Sequence, residues 1–94
     1  MSVRETSTIR AALGDKGFHR VEKHHEMWWY YVGERKTSVR TRISHGTNEY
    51  GDSLLGQMAR QLRLGKADLL DLIDCPMTKK AYLEVLTKSG SVTP

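Results

Sequence analysis

Apolar and polar positions along the middle of the chain predict a small β-sheet. Residues Glu26–Val32 read EMWWYYV, so an extended strand would carry large side chains on both of its faces. In the next predicted strand, Thr37–Ser44, apolar and polar positions alternate. One face carries Val39, Thr41 and Ile43, and the other carries Ser38, Arg40, Arg42 and Ser44. A weaker strand over Phe18–His24 precedes both, so we expect a three-stranded antiparallel meander with Glu26–Val32 buried at its centre.

A helical pattern precedes the first strand. Ser2 and Glu5 have the spacing of a capping box, which predicts a helix that begins at Val3. Gly17 is a suitable residue to end it. Its apolar stripe consists of Ile9, Ala12 and Leu13.

Helical patterns also follow the meander. We expect a helix over about 52–63, with Asp52 or Ser53 at its cap, and a short helix over 66–74. A last helix follows a cap at Thr78 and ends near Gly90. Their inward positions are Leu54, Leu55, Met58, Leu62, Ala81, Tyr82, Val85 and Leu86. Helices gathered on one face of a small antiparallel sheet make an α+β sandwich.

The length of 94 residues allows one domain. We expect this domain over 1–90, with a core over about 3–64, a helical extension over about 66–88 and a flexible tail over 91–94. No apolar run approaches the roughly 20 residues of a membrane span. The amino terminus lacks the apolar core of a secretory signal, so we expect a cytoplasmic protein without membrane contacts. The single cysteine, Cys75, excludes an internal disulfide and a cysteine-rich metal site.

The distribution of charge is more informative than the net charge of +4. Four basic residues and no acidic residue lie between Arg35 and Asn48. A basic strip on a sheet is typical of a surface that binds a phosphate backbone. The alternative is a solvated edge strand, because charges on edge strands discourage unwanted pairing.

The histidines are the candidates for chemistry. His24 and His25 lie at the junction of the first two strands, and neutral imidazole is the usual general base near pH 7. Neighbours in a strand point to opposite faces, so at most one of the two would face a given site. A structural or solvent-exposed role is the alternative. The four histidines lack metal-ligand spacing. Asp68, Asp71 and Asp74 repeat every third residue, and on a helix we expect them to form a solvated face, so we expect no metal site.

The aromatic residues Trp28–Tyr31 have two interpretations. They could stack on unpaired bases, as in RNA-binding proteins that use a sheet. Packing in the core is the alternative for most of them, because a small two-layer domain needs large side chains.

Taken together, these features resemble the HicA toxin family, small cytoplasmic mRNA interferases with a fold like that of double-stranded-RNA-binding domains. The resemblance covers about Ile9 to Leu64 and follows the order helix, three strands, helix. The matching features are LGDKGF at Leu13–Phe18, the histidine His24 followed by His25 and an aromatic strand, the basic third strand, His45-Gly46, and Gly51 before the apolar helix Leu54–Leu62. The chain has Glu22-Lys23 where the family usually has Gly-Ser.

The resemblance implies a ribonuclease that cuts mRNA without a metal or other cofactor and that a cognate antitoxin protein silences. It assigns the catalytic position to His24, with His25 as the second candidate. The residues expected to contact RNA are Lys23, Arg35, Lys36, Arg40, Arg42 and His45. Two alternatives remain open, a non-catalytic RNA-binding module and a protein-interaction domain that uses the aromatic strand.

Overall fold

A computed structural model describes residues 3–22, 24–44, 46–74 and 76–92. Ser2, which the capping-box prediction used, and Cys75 lie outside these residues. The elements in chain order are β1 (Arg4–Glu5), α1 (Thr6–Asp15), β2 (Phe18–Glu22), β3 (Glu26–Val32), β4 (Arg35–Ile43), β5 (Glu49–Tyr50), α2 (Asp52–Gln61), α3 (Lys66–Asp74) and α4 (Lys79–Lys88).

The predicted meander is confirmed. Strands β2, β3 and β4 form an antiparallel sheet with β3 at its centre. The pairing of β3 with β4 is irregular, because Trp29 faces Arg40 whereas Tyr31 faces Lys36. Between these two pairs, β4 therefore advances four residues while β3 advances two. An even number of extra residues preserves the alternation of faces, so Lys36 stays on the same side of the sheet as Arg40.

The core lies between one face of this sheet and the helices. The predicted inward residues of β4 are all buried: Val39, Thr41 and Ile43. Val39 and Ile43 pack in one cluster with apolar residues from each helix, among them Ile9, Leu13, Leu55, Met58, Leu69, Leu72, Tyr82 and Leu86. The described part of the chain is thus an α+β fold with helices against one side of a three-stranded antiparallel sheet.

The expectation that β3 is buried on both faces is wrong. Trp28 and Tyr30 are buried on the helix side, whereas Met27, Trp29 and Tyr31 are only partly buried on the other side. The physical reason is that the described helices pack against one face only. Large side chains on the second face therefore stay in partial contact with solvent.

Several element boundaries differ from those predicted, and β4 covers Arg35–Ile43 rather than Thr37–Ser44. Helix α1 begins at Thr6 rather than Val3, because Arg4 and Glu5 pair with Tyr50 and Glu49 in a short second sheet. Strand β2 ends at Glu22, so His24 and His25 belong to the connection before β3 and not to a strand.

The boundaries of α3 and the cap of α4 are confirmed. Helix α3 covers Lys66–Asp74, and the Thr78 side chain accepts a hydrogen bond of 3.0 Å from the backbone N–H of Ala81. Helix α2 covers 52–61, with Gly51 at its cap in place of Asp52 or Ser53.

The carboxyl-terminal helices complete the core. The ring of Tyr82 in α4 packs edge-on against Tyr30 at 5.1 Å and stacks on Phe18 at 5.8 Å. Its hydroxyl donates a hydrogen bond to the carbonyl oxygen of Leu62 at 3.0 Å. Burial raises the pKa of Tyr82, so this hydroxyl keeps its proton and remains a donor. Within the described residues, no helix combines the length and apolar character needed to cross a membrane.

Candidate functional site on the open sheet face

The side of the sheet away from the helices is the most distinctive exposed surface, and we call it the open face. It consists of His19, Val21, Met27, Trp29, Tyr31, Lys36, Ser38, Arg40 and Arg42. The strand register sets two rows across it. One row runs from His19 through Trp29 to Arg40, and the other runs from Val21 through Met27 to Arg42.

Cations and aromatic rings are in direct contact on this face. The Nζ atom of Lys36 lies 3.8 Å from the ring centroid of Trp29, and the Cζ atom of Arg40 lies 5.0 Å from it. Both distances are within the range of cation–π attraction. His19 stacks on Tyr31 with their centroids 4.1 Å apart. These contacts place positive charge beside the flat apolar surface of aromatic rings. Proteins that bind single-stranded nucleic acids use the same combination.

His24 and His25 are both exposed and line the same pocket, of about 280 Å³. We call it the histidine pocket; its other lining residues are Val21, Met27, Trp29 and Lys36. The expectation that only one histidine could face a given site is therefore wrong. The rule of alternating faces does not apply, because the pair lies in a bend and not in a strand.

A second pocket, of about 230 Å³, lies at the β4 edge of the open face, between β4 and the end of α2. We call it the arginine pocket, and it is lined by Met27, Ser38, Arg40, Thr41, Arg42, Gln61 and Arg63. The sequence prediction included Arg40 and Arg42 but missed Gln61 and Arg63. The structure brings them together because α2 packs beside β4.

The other residues predicted to bind RNA have different outcomes. Lys36, Arg40 and Arg42 share the open face as expected. Arg35 is exposed at the start of β4, where it lines a separate cavity with residues 90–92, and it does not line the histidine pocket. Lys23 and His45 lie outside the described residues.

An ion pair between the buried Glu26 and the half-buried Arg10 holds the start of β3, directly after His25. The Glu26 side chain is 1% exposed and accepts hydrogen bonds from Arg10 Nε at 2.8 Å and from Trp28 Nε1 at 2.8 Å. Arg20 approaches the same carboxylate at 3.5 Å. Burial by itself raises the pKa of Glu26, but the hydrogen bonds and the two guanidinium charges outweigh it and hold the pKa below its ordinary value. Sequence patterns gave no indication of this pair, because a glutamate at a strand end is normally exposed.

The described residues contain no group of three or more histidine, cysteine, aspartate or glutamate side chains arranged to hold a metal ion. The polar groups of the open face are instead donors and cations, which suit an anionic ligand.

Comparisons of the chain with protein-family models, with curated proteins and with solved structures find no match.

Proposed function

We propose that this chain binds single-stranded RNA on its open face and cleaves it with His24 as the general base. One observation carries the proposal. The histidine pocket joins two exposed imidazoles, the partly exposed ring of Trp29 and the ammonium group of Lys36 on a single accessible surface. The imidazole can act as a general base, the indole can bind a base by stacking, and the ammonium group can pair with a phosphate.

Binding uses the indole of Trp29 and the neighbouring cations of the open face. An unpaired base can stack on Trp29 by displacing the Lys36 side chain that lies over the ring, since base–aromatic stacking tolerates any base. Lys36, Arg40 and Arg42 then neutralise the phosphates on either side of it. Among the described residues, no carboxylate forms a salt bridge with any of these three cations. Their charges are therefore available to an anionic ligand.

Cleavage proceeds by attack of the ribose on its own phosphate. His24 accepts the proton of the 2′-hydroxyl, and the 2′-oxygen forms a bond to the adjacent phosphorus. The bond from phosphorus to the 5′-oxygen breaks, and that oxygen takes a proton from water. Lys36 offsets the negative charge that builds up on the phosphoryl oxygens. The products are a 2′,3′-cyclic phosphate and a 5′-hydroxyl, and DNA is spared because it lacks the nucleophile.

The biological setting that we propose is that of a HicA-like toxin, with a fold like that of double-stranded-RNA-binding domains and mRNA as its substrate. The order helix, three strands, helix supports this fold. A cognate antitoxin would have to cover the histidine pocket. A basic surface favours an acidic partner, whose association slows as salt screens the charges.

The test is cleavage of a labelled single-stranded RNA in excess EDTA by the wild type and by His24→Ala, His25→Ala and His19→Ala. His24→Ala should lose about 10²- to 10⁴-fold in rate. His19→Ala is the matched control, because His19 lies on the open face but does not line the histidine pocket. Analysis of the product ends should find cyclic phosphate. A folded His24→Ala protein that cleaves at the wild-type rate would refute the assignment, and a loss confined to His25→Ala would move the base to the neighbouring residue.

A non-catalytic RNA-binding module is the second candidate. The observation in its favour is that Glu22-Lys23 replaces the Gly-Ser pair of the family that the chain resembles. This function predicts unchanged RNA affinity in His24→Ala and no cleavage by the wild type. Measuring affinity and cleavage on the same RNA separates the two candidates.

A further inference from the structure

The arginine pocket carries an inference beyond general RNA binding. Three arginines converge on it: Arg40 and Arg42 come from β4, and Arg63 comes from the turn after α2. Of the described residues that line it, none is acidic. Positively charged residues that line one cavity repel each other, and an anion bound there would offset this repulsion.

The backbone of Arg63 supports a role for its side chain. Its φ is +64°, in the left-handed region, and it is the one described residue other than glycine with a positive φ. The backbone N–H of Arg63 bonds to the carbonyl of Arg60, and that of Leu64 bonds to the carbonyl of Ala59. These bonds define a Schellman motif, in which glycine usually occupies the position of Arg63. A bulky residue is disfavoured there, so its side chain must be explained by something other than the turn.

The polar groups of the pocket are oriented to donate. Thr41 is buried, and its hydroxyl donates a hydrogen bond of 2.6 Å to the amide oxygen of Gln61. Because the amide oxygen already accepts this bond, Gln61 offers a ligand its amide nitrogen, which carries two N–H donors. Together with the arginines and the hydroxyl of Ser38, the pocket presents donors that match the oxygens of a phosphate.

We propose that the arginine pocket binds a phosphate group, and that Arg63 is one of the residues that hold it. If the proposed function is correct, this phosphate belongs to the same RNA strand as the one in the histidine pocket. The two pockets share Met27, and the row Val21–Met27–Arg42 joins them across three strands. Strand spacing of about 4.8 Å puts the outer Cα atoms of this row about 10 Å apart. One extended RNA strand can therefore occupy both pockets.

Phosphate binding can be tested without RNA. We would titrate the isotope-labelled protein with inorganic phosphate and follow the side-chain signals of Gln61 and the arginines by NMR. Saturating shifts of the Gln61 amide and of Arg63 in the wild type, together with loss of the Gln61 shift in Arg63→Gly, would support the pocket. If these signals do not move with phosphate, the proposal is refuted. Shifts spread evenly over all surface arginines would also refute it, as they would mean an adventitious ion only.

Arg63→Gly also separates binding from stability. Glycine suits the left-handed turn, so this variant should melt at a higher temperature than the wild type. It should nevertheless bind a labelled single-stranded RNA roughly tenfold more weakly at low salt. The slope of log affinity against log salt should fall by about 0.7 for the lost phosphate contact. Arg60→Ala is the charge-matched control. Arg60 lies on α2 outside the pocket, and its replacement removes the same charge as Arg63→Gly does.

The outcomes separate this proposal from the proposed function. RNA binding that depends on Arg40 and Arg42 but is unchanged in Arg63→Gly refutes the role of Arg63 and leaves RNA binding in place. Phosphate binding at the pocket in a protein that binds no RNA supports the phosphate site and refutes the proposed function. Equal losses of affinity in Arg63→Gly and Arg60→Ala would refute the site, because they would reflect net charge alone.

Discussion

The two adjacent tryptophans give the sharpest test of how the sheet is oriented, because they lie on opposite sides of one strand. Trp28 is 7% exposed, packs in the core, and donates its indole N–H to Glu26. Trp29 is partly buried on the open face beneath Lys36 and Arg40. Alanine at either position removes the same group of atoms. We nevertheless expect the larger loss of stability from Trp28→Ala and the larger loss of RNA affinity from Trp29→Ala.

The expected stability losses follow from these environments. Trp28→Ala leaves a core cavity and removes a donor from a buried carboxylate, which together cost about 3 to 5 kcal/mol. Trp29→Ala loses partial burial and two exposed cation–π contacts, about 1 to 2 kcal/mol in total. With a urea m-value of about 1 kcal/mol/M for a domain of this size, the unfolding midpoint falls by about 3 M or more for Trp28→Ala and by about 1 to 2 M for Trp29→Ala.

RNA binding should show the reverse order. Loss of one stacked base costs about 1 to 3 kcal/mol, so Trp29→Ala should bind single-stranded RNA about 5- to 150-fold more weakly. Trp28→Phe, which keeps an apolar ring in the core, should bind as the wild type does, and Trp29→Phe should recover part of the lost affinity. The assays are urea unfolding followed by circular dichroism and RNA binding followed by fluorescence anisotropy. A larger stability loss for Trp29→Ala than for Trp28→Ala would refute the orientation of the sheet, and undiminished RNA affinity of Trp29→Ala would refute base stacking.

Three further predictions follow from the charges and the proposed activity. The double variant Arg40→Ala/Arg42→Ala should lower the salt slope of RNA binding by about 1.4, and an unchanged slope would show that these residues do not contact phosphates. Glu26→Gln should lose about 2 to 3 kcal/mol at neutral pH, because it leaves Arg10 without its partner. The lowered pKa of Glu26 means that its stabilisation is present above about pH 4.5 and is lost as the pH falls through the folded-state value, so the melting temperatures of variant and wild type should converge in acid. Expression of the wild type alone should arrest growth and that of His24→Ala should not; harmless expression of the folded wild type would contradict the toxin proposal.

The sequence predicted well those elements whose signal is local. The bounds of β3 and α3 and the cap at Thr78 depend on patterns within a few residues, and all three are confirmed. The start of α1 was wrong because a non-local pairing of residues 4–5 with 49–50 competes with the local capping signal. No local pattern reveals such a pairing.

The candidate site was predictable only in part for a related reason. The alternation in β4 correctly gave the open face its arginines, but β3 carries large residues on both faces, and only the packing of the helices determines which face is covered. Arg63 was missed because a left-handed turn after a helix is normally marked by glycine, and the sequence has arginine at this position. Its role depends on α2 lying beside β4, which is a property of the tertiary structure.

The position of Glu26 explains how an exposed pair of histidines can belong to a defined site. Connections between strands are usually the most mobile part of a sheet, and a general base must be held close to its proton. Here the residue directly after His25 is a buried carboxylate held by Arg10 from α1 and by the indole of Trp28 from the core. The carboxylate cannot leave these partners without exposing an unpaired charge or an unpaired donor, which is costly. His24 and His25 are therefore followed directly by a residue fixed to α1 and the core, while their imidazoles remain exposed beside the open face.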